Sequence, residues 1–555
     1  MSSNTQSFSF IVVGGGLSGV TIASRLSQYF LSSTVALLEL GSNRIDDPKV
    51  TDTQNMGIIF DPEFTVDYCT TPQKHCNNRR LLNMAGRTLS GSSGVNVGVW
   101  LRAPKSDYDL IAKRAGNTRF EFENMLPYFK RIQTYWNKEG DPNYHGFEGP
   151  IHTVGGREYP LREHVKKSAE GLGHQFNPDN MTGDPTGLSS LTQCFKETSP
   201  STSTRQHAGK VYDLSKVHVQ TDSRVARVLF DDVKRAIGVE LASGEKIFAR
   251  QEVIICCGAQ KTPQLLMLSG VGPSDELRKH GIKEIADAPG VGDQLFDHLR
   301  LGQYFKLKHP EKGLAFPFQG NMKSEYGQGM PLDWWIYGNI PPSEIEGYLK
   351  ADNLEGAKDK THPHLQEKRC HYMSAAFYAP MLANPEYYPD INPLDGEHIS
   401  TLSINLLPTS FGTVRLRSAD PNDEPLVDPR FLSTQTDRFI LRRAVRESLR
   451  LIETEPLASE IAGETPPADP RYPALTSRSS DEDIDERIAV LSETMAHPMG
   501  TCALGSVLDS EFKVRGVQGL RVCDASIFPG IMGTMPSQSI YAFAEMCADL
   551  VAGRA

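Results

Sequence analysis

The run FSFIVVGGGLSGVTIASRLSQYFLSSTVALLEL constrains this chain more than any other stretch. Phe10 to Val13 is a short, continuous apolar run, the pattern of a parallel strand covered on both faces. Glycines follow at 14, 16 and 19, then a segment whose apolar positions Val20, Ile22, Ala23 and Leu26 share one broad helical stripe, then a second apolar run, TVALLEL. Strand, glycine turn, helix and strand in that order predict a βαβ unit opening a parallel sheet. In such a unit Gly14 allows the tight turn, Gly16 lets backbone approach a pyrophosphate, and Gly19 permits close helix packing. The phosphate would rest on free N–H groups at the helix N-terminus, where the dipole favours an anion. Glu39, twenty residues beyond Gly19 at the end of the second strand, is placed to accept from a ribose diol. Its charge would repel a 2′-phosphate, which disfavours NADP.

At 555 residues the chain can hold two or more domains, or one large intertwined unit, around a sizeable core. A formal charge of -10 supplies no basic footprint, so nucleic acid and anionic membrane are set aside as partners. The opening MSSNTQSFSFIVVGGG has no secretory pattern and no apolar run is long enough to span a bilayer, so a cytoplasmic protein is expected. Nine scattered cysteines, Cys256 and Cys257 adjacent among them, are read as reduced thiols. His362, His364 and His371 lack regular spacing and a carboxylate partner; a solvated loop is expected there and no metal site anywhere. LSGSSG lacks the first glycine of a nucleophile elbow.

Beyond the first unit, VHVQTDSRVARVLF, RAIGVEL and FARQEVIICCGA read as successive strands that resume the nucleotide domain. From about residue 300 the texture changes. Aromatics crowd FPFQGNMKSEYGQGMPLDWWIYGN, and strand-like HISTLSINLLP and GTVRLRSA precede an amphipathic helix over about 437–452. The chain closes on a helix with Ile540, Phe543, Cys547 and Leu550 on one stripe and Gly553 as its stop. The expected fold is α/β: a Rossmann-like nucleotide-binding domain interleaved with a sheet-plus-helix substrate domain. Its parts are 1–160, 216–300 and 491–555 for the first, 301–490 for the second, and 161–215 as a connecting segment and substrate-domain excursion.

These motifs, in this order, resemble the glucose-methanol-choline (GMC) family of flavin oxidoreductases over nearly the whole chain. VVGGGLSG with Glu39 looks like the family's FAD fingerprint, and GRTLSGSSGVNVGVWLR is similar to its glycine-serine flavin loop. TPQLLMLSGVGP and PGVGDQLFDH resemble its central signature, SADPNDEPLVDPRF its C-terminal domain entry, and HPMGTCALG and GLRVCDASIFP its closing segments. The resemblance implies FAD, with backbone at Leu17 and Ser18 on the pyrophosphate and Glu39 on the adenosine ribose. It sets Arg87, Ser92, Ser93 and Asn96 beside the cofactor, the Val225 backbone at adenine, Asp524 and Ala525 near the ribityl-pyrophosphate, and Gln538 in the same shell. Without the motif, Ser92, Ser93 and Asn96 would read as ordinary turn residues. Some relatives attach FAD through a histidine in this loop; the matching position here is Val95, so dissociable FAD is expected.

Taken alone, His497 beside a proline would read as a structural histidine. The resemblance makes it the base that removes an alcohol proton while the carbinol hydrogen leaves as hydride to flavin N5, a role suited to a group titrating near neutrality. The family's second active-site position, usually His or Asn, falls on Met535, seven residues beyond Phe528 and six before Tyr541. A thioether cannot transfer a proton. Thr534, Ser537 or Gln538 could replace the lost hydrogen bond, or Met535 could simply pack on an apolar substrate. Trp334, Trp335 and Tyr337 either wall a pocket for an aryl or polyketide-like alcohol or belong to the core. The expected activity is FAD-dependent oxidation of an alcohol to a carbonyl, with oxygen or a quinone-like molecule as electron acceptor. The alternative is a non-redox cyclase or dehydratase on the same flavoprotein scaffold.

Overall fold

The computed structural model describes residues 6–199, 201–366, 369–392 and 394–554. The sequence reading of the opening segment falls partly on residues 1–5, which lie outside them. Strand Ser7–Val13 sits centrally in a seven-stranded sheet ordered Val217–Gln220, Val35–Leu38, Ser7–Val13, Lys246–Ile255, Ala236–Leu241, Val225–Phe230, with Leu520–Val522 beside the end of Lys246–Ile255. Its pairings to Val35–Leu38 and Lys246–Ile255 are parallel, while the two strands beyond Lys246–Ile255 run antiparallel. The apolar runs have the reason expected of them: Ile11, Val12, Ala36 and Leu37 are fully buried, as strands covered on both faces require.

Gly14 turns the chain at φ +100°, and a Cβ there would lie 2.4 Å from the Cys256 carbonyl oxygen; a Cβ on Gly19 would lie 1.8 Å from the Gly14 oxygen. Helix Leu17–Tyr29 follows. The closing helix Ser537–Val551 packs against it, and Arg25 Nε donates to the buried Glu545 carboxylate at 2.8 Å. The final residues of the chain therefore brace its first helix.

VHVQTDSRVARVLF, expected as one strand, breaks into Val217–Gln220 and Val225–Phe230. Asp222 adopts φ +54°, and the N–H groups of Asp222 and Ser223 donate to the carbonyls of Gly41 and Glu39. Those bonds bend the chain around the end of the second strand, beside Glu39.

The second seven-stranded sheet is antiparallel throughout, ordered Ile461–Glu464, Leu299–Leu307, His398–Asn405, Tyr372–Phe377, Trp334–Gly338, Gly187–Ser190, with Glu493–Thr494 against the start of Leu299–Leu307. Helix Gln435–Ile452, capped by Thr434, buries Leu441, Val445 and Leu449 with Leu301, Phe305, Trp334 and Ile336 on one face. The opposite face, with Trp335, Tyr337, Met373 and Phe377, joins the core that contains the first sheet. GTVRLRSA supplies only Gly412–Arg415, in a separate three-stranded sheet.

One expectation is overturned: the histidine segment is no solvated loop. His364 and His371 are buried. His364 Nε2 meets the Leu407 carbonyl at 2.7 Å, and His371 Nδ1 accepts from the Ile340 N–H at 3.1 Å. Among the described residues no helix is long and apolar enough to cross a membrane, and all nine cysteines are free thiols.

Candidate active site

A cavity of about 1020 Å³ takes its walls from both sheets, large enough for a dinucleotide with a small molecule beside it, since ordinary ligand pockets span roughly 300–1,000 Å³. Gly14, Gly16, Leu17, Ser18, Glu39 and Val225 contribute from the first sheet's turns; Arg87, Ser92, Val95 and Asn96 from the glycine-serine loop; Asp524, Ala525, Met535, His497 and Trp335 complete the set of expected residues on its surface.

The cradle at the first helix has unused donors. Its N-cap is Gly16, with no side-chain cap, so first-turn N–H groups lack the partner a capping side chain would give them. Ser18 Oγ is buried with no hydrogen-bond partner. Orphaned donors at a helix N-terminus fit a pyrophosphate. Glu39 accepts from Gly15 N at 2.6 Å and Gly41 N at 2.7 Å. Burial, opposed by those two bonds, pushes its carboxyl up to about 7. Asp524 holds the neighbouring turn, accepting from Gly258 N at 2.9 Å and Thr262 Oγ1 at 2.6 Å. These features fit a dinucleotide such as FAD.

In the glycine-serine loop Ser92 Oγ accepts from Gly86 N at 3.1 Å and Asn96 Oδ1 from Gly98 N at 2.9 Å, and both residues line the cavity. Ser93 turns away from it: its hydroxyl donates to Ser90 O at 2.7 Å and accepts from Ala208 N at 3.1 Å. It supports the loop's shape. Val95 lines the cavity and offers no nitrogen or thiol for a covalent link.

His497 sits on a loop pinned by Asp297. The His497 N–H donates to Asp297 Oδ1 at 2.9 Å, while Oδ2 accepts from Thr494 Oγ1 at 2.6 Å and Asn83 Nδ2 at 3.1 Å. Burial, opposed by these bonds, raises the Asp297 carboxyl to about 7. The His497 ring is half-buried and lines the cavity. Its Nδ1 lies 3.1 Å from His298 Nδ1, with the rings crossed at 88°. Burial first, then His298, holds its imidazolium well below the usual histidine range, so the ring is neutral. Asp297 and His298 lie inside the motif PGVGDQLFDH; nothing in the sequence showed that they face His497 across 199 and 200 residues.

Met535 lies on the cavity wall and is 6% exposed. Thr534 is spent elsewhere, its hydroxyl 3.3 Å from the Tyr337 hydroxyl. The Gln538 amide is buried 3.0 Å from Gln133 Oε1, off the cavity. Ser537 alone of the three replacement residues lines the cavity, with a single 3.5 Å contact to Val99 O. Of the aromatic trio only Trp335 reaches the wall, joined by Phe377, Met330, Met381 and Leu402. Trp334 faces the other way, its Nε1 donating to Arg162 O at 3.0 Å beneath the Arg162 guanidinium. Tyr337 packs into the core.

GMC oxidoreductase models match the chain over residues 8–300 and 408–544. A GMC-type oxidoreductase named acuG from Aspergillus aculeatus is 38% identical, over 99% of both chains. Versicolorin B synthase from Aspergillus parasiticus is 29% identical, over 99% of this chain and 89% of that protein. A formate oxidase from Aspergillus oryzae RIB40, solved in a study of FAD modification, superposes with a TM-score of 0.86 at 26% identity, over 100% of this chain and 99% of that one. Matched along nearly its whole length and sharing the architecture of a solved flavoenzyme, this chain belongs to the GMC oxidoreductase family, whose members use FAD.

Proposed function

We propose that the protein holds FAD non-covalently and oxidises an apolar alcohol to a carbonyl compound, with His497 as the base. The observation that carries this reading is a neutral imidazole on the wall of an otherwise largely apolar chamber that is continuous with the nucleotide cradle. FAD, when bound, supplies the acceptor for the carbinol hydrogen. His497 accepts the hydroxyl proton, because hydride leaves more readily from an alkoxide-like carbon. Trp335, Phe377, Met381 and Met535 exclude water and fit an aryl or natural-product-like alcohol better than a free sugar. Val95 supports a dissociable cofactor. Residues 1–160, 216–300 and 491–555 form the FAD-binding part and 301–490 the substrate part. Oxygen or a quinone-like molecule serves as electron acceptor, and nine free thiols suit a reducing cytoplasm.

Met535 favours a second reading. With one proton-transfer group instead of two, and with a synthase among the relatives, the scaffold could perform non-redox cyclisation or dehydration through His497. Anaerobic mixing with aryl, aliphatic and polyketide alcohols separates them. Oxidation bleaches the oxidised flavin band and yields a carbonyl two hydrogens lighter. Product with the flavin still oxidised, and no loss of hydrogen beyond that in water, would establish the second reading.

A further inference from the structure

His298 Nε2 faces two backbone carbonyls, Leu406 O at 3.1 Å and Met532 O at 3.0 Å. Two acceptors at hydrogen-bond distance require a proton on that nitrogen. The ring is 1% exposed, and burial lowers its imidazolium to about 4 despite the two carbonyls, so His298 is neutral and carries a lone pair on Nδ1. That lone pair points at His497 Nδ1, 3.1 Å away. Two lone pairs cannot share a hydrogen bond, so the proton of this contact belongs to His497. Its Nε2, bonded to no protein group among the described residues, is then the basic nitrogen.

We infer that His298 is a positioning residue that fixes the tautomer of His497, holding the proton on Nδ1 and leaving Nε2 bare toward the cavity. This rests on the reading of His497 as the base. The elements on either side of the pair enforce it: Asp297 grips the His497 backbone, and the carbonyls of Leu406 and Met532 come from just past the end of the interior strand His398–Asn405 and from the loop leading to Met535. When a substrate hydroxyl is deprotonated, its proton goes to Nε2 and the ring becomes a cation. Its Nδ1–H still meets the neutral His298, so the ring is held without a carboxylate bonded to it; Asp297 meets only the His497 backbone N–H. In many histidine bases a carboxylate holds the tautomer; here the partner is a second imidazole, itself locked by main chain.

The test is nitrogen NMR of the ¹⁵N-histidine-labelled, FAD-loaded protein, with His497 assigned by its loss in His497→Ala. The expected result is a protonated Nδ1 and an unprotonated Nε2. In His298→Leu the ring should move toward the Nε2–H form that free imidazole favours. Its kcat should fall roughly 10-fold to 10²-fold with KM little changed, the range for loss of an outer partner that orients a functional histidine. His298→Asn keeps an acceptor at the Nδ1 position and should restore both. A wild-type ring protonated at Nε2, or a His298→Leu variant with Nδ1–H and unchanged kcat, would overturn the inference. The nitrogen signals of the wild type decide the tautomer even where His298→Leu fails to fold. If the tautomer is as stated but His497→Ala keeps full turnover, the assignment of the base has failed and the tautomer lock stands.

Discussion

Trp334 and Trp335 are adjacent in one strand and buried in different cores, the first under Arg162 with the helix-covered face of the second sheet, the second on the wall of the cavity. The period of two along a strand separates them. Trp335→Ala should raise KM for apolar substrates with a smaller change in the stability of the FAD-loaded protein. Trp334→Ala should leave KM near wild type and destabilise the fold by about 3–5 kcal/mol. Steady-state kinetics beside denaturant unfolding reads both, and equal KM effects would refute the division of roles.

His497→Ala should keep its yellow flavin and lose roughly 10²-fold to 10⁴-fold in turnover, the usual contribution of a positioned proton-transfer group. Absorbance at the flavin band checks retention, and single-turnover kinetics checks the chemical step. Near-normal turnover would remove His497 from the mechanism.

Met535→His introduces a donor and base at a wall position whose thioether is neither; Thr534 and Gln538 are engaged elsewhere, and Ser537 beside it offers a hydroxyl but no base. The substitution should change rate or substrate range while FAD content stays constant. Lost flavin with unchanged intrinsic turnover would mean that residue 535 serves the cofactor.

Glu39 gives FAD binding a pH dependence of defined sign. Its carboxyl is pushed up to about 7 by burial, and ribose hydroxyls donate more strongly to the carboxylate than to the neutral acid. Affinity should therefore rise as pH climbs through about 7 and fall below it, with a proton released on binding under acidic conditions. Glu39→Gln should flatten this profile and weaken binding above neutrality by about 1.5–3 kcal/mol. Flavin fluorescence quenching in the apoprotein measures it; a wild-type profile with no slope across that range would exclude Glu39 as the titrating group.

Periodicity made the first βαβ unit, helix Gln435–Ile452 and the closing helix legible, because their patterns are local. The glycine positions were equally plain: a strand that turns straight into a helix calls for a residue such as Gly14, which adopts φ +100° freely. Orientation was not legible. Ser92 and Ser93 are chemically identical, and only contacts with Ser90 and Ala208 decide that one faces the cavity and the other supports its loop. His364 and His371 looked solvated because the Leu407 carbonyl that meets the first and the Ile340 N–H that donates to the second lie 43 and 31 residues away.

By itself the sequence determined that a dinucleotide cradle opens the chain, from the spacing of its glycines between two apolar runs, and its resemblance to a known family marked a histidine and a methionine as the two closing positions. Tertiary structure decided what His497 can do. Its partners Asp297 and His298 arrive from the link just before strand Leu299–Leu307, 200 and 199 residues away, and hydrogen-bond direction depends on where atoms meet in space.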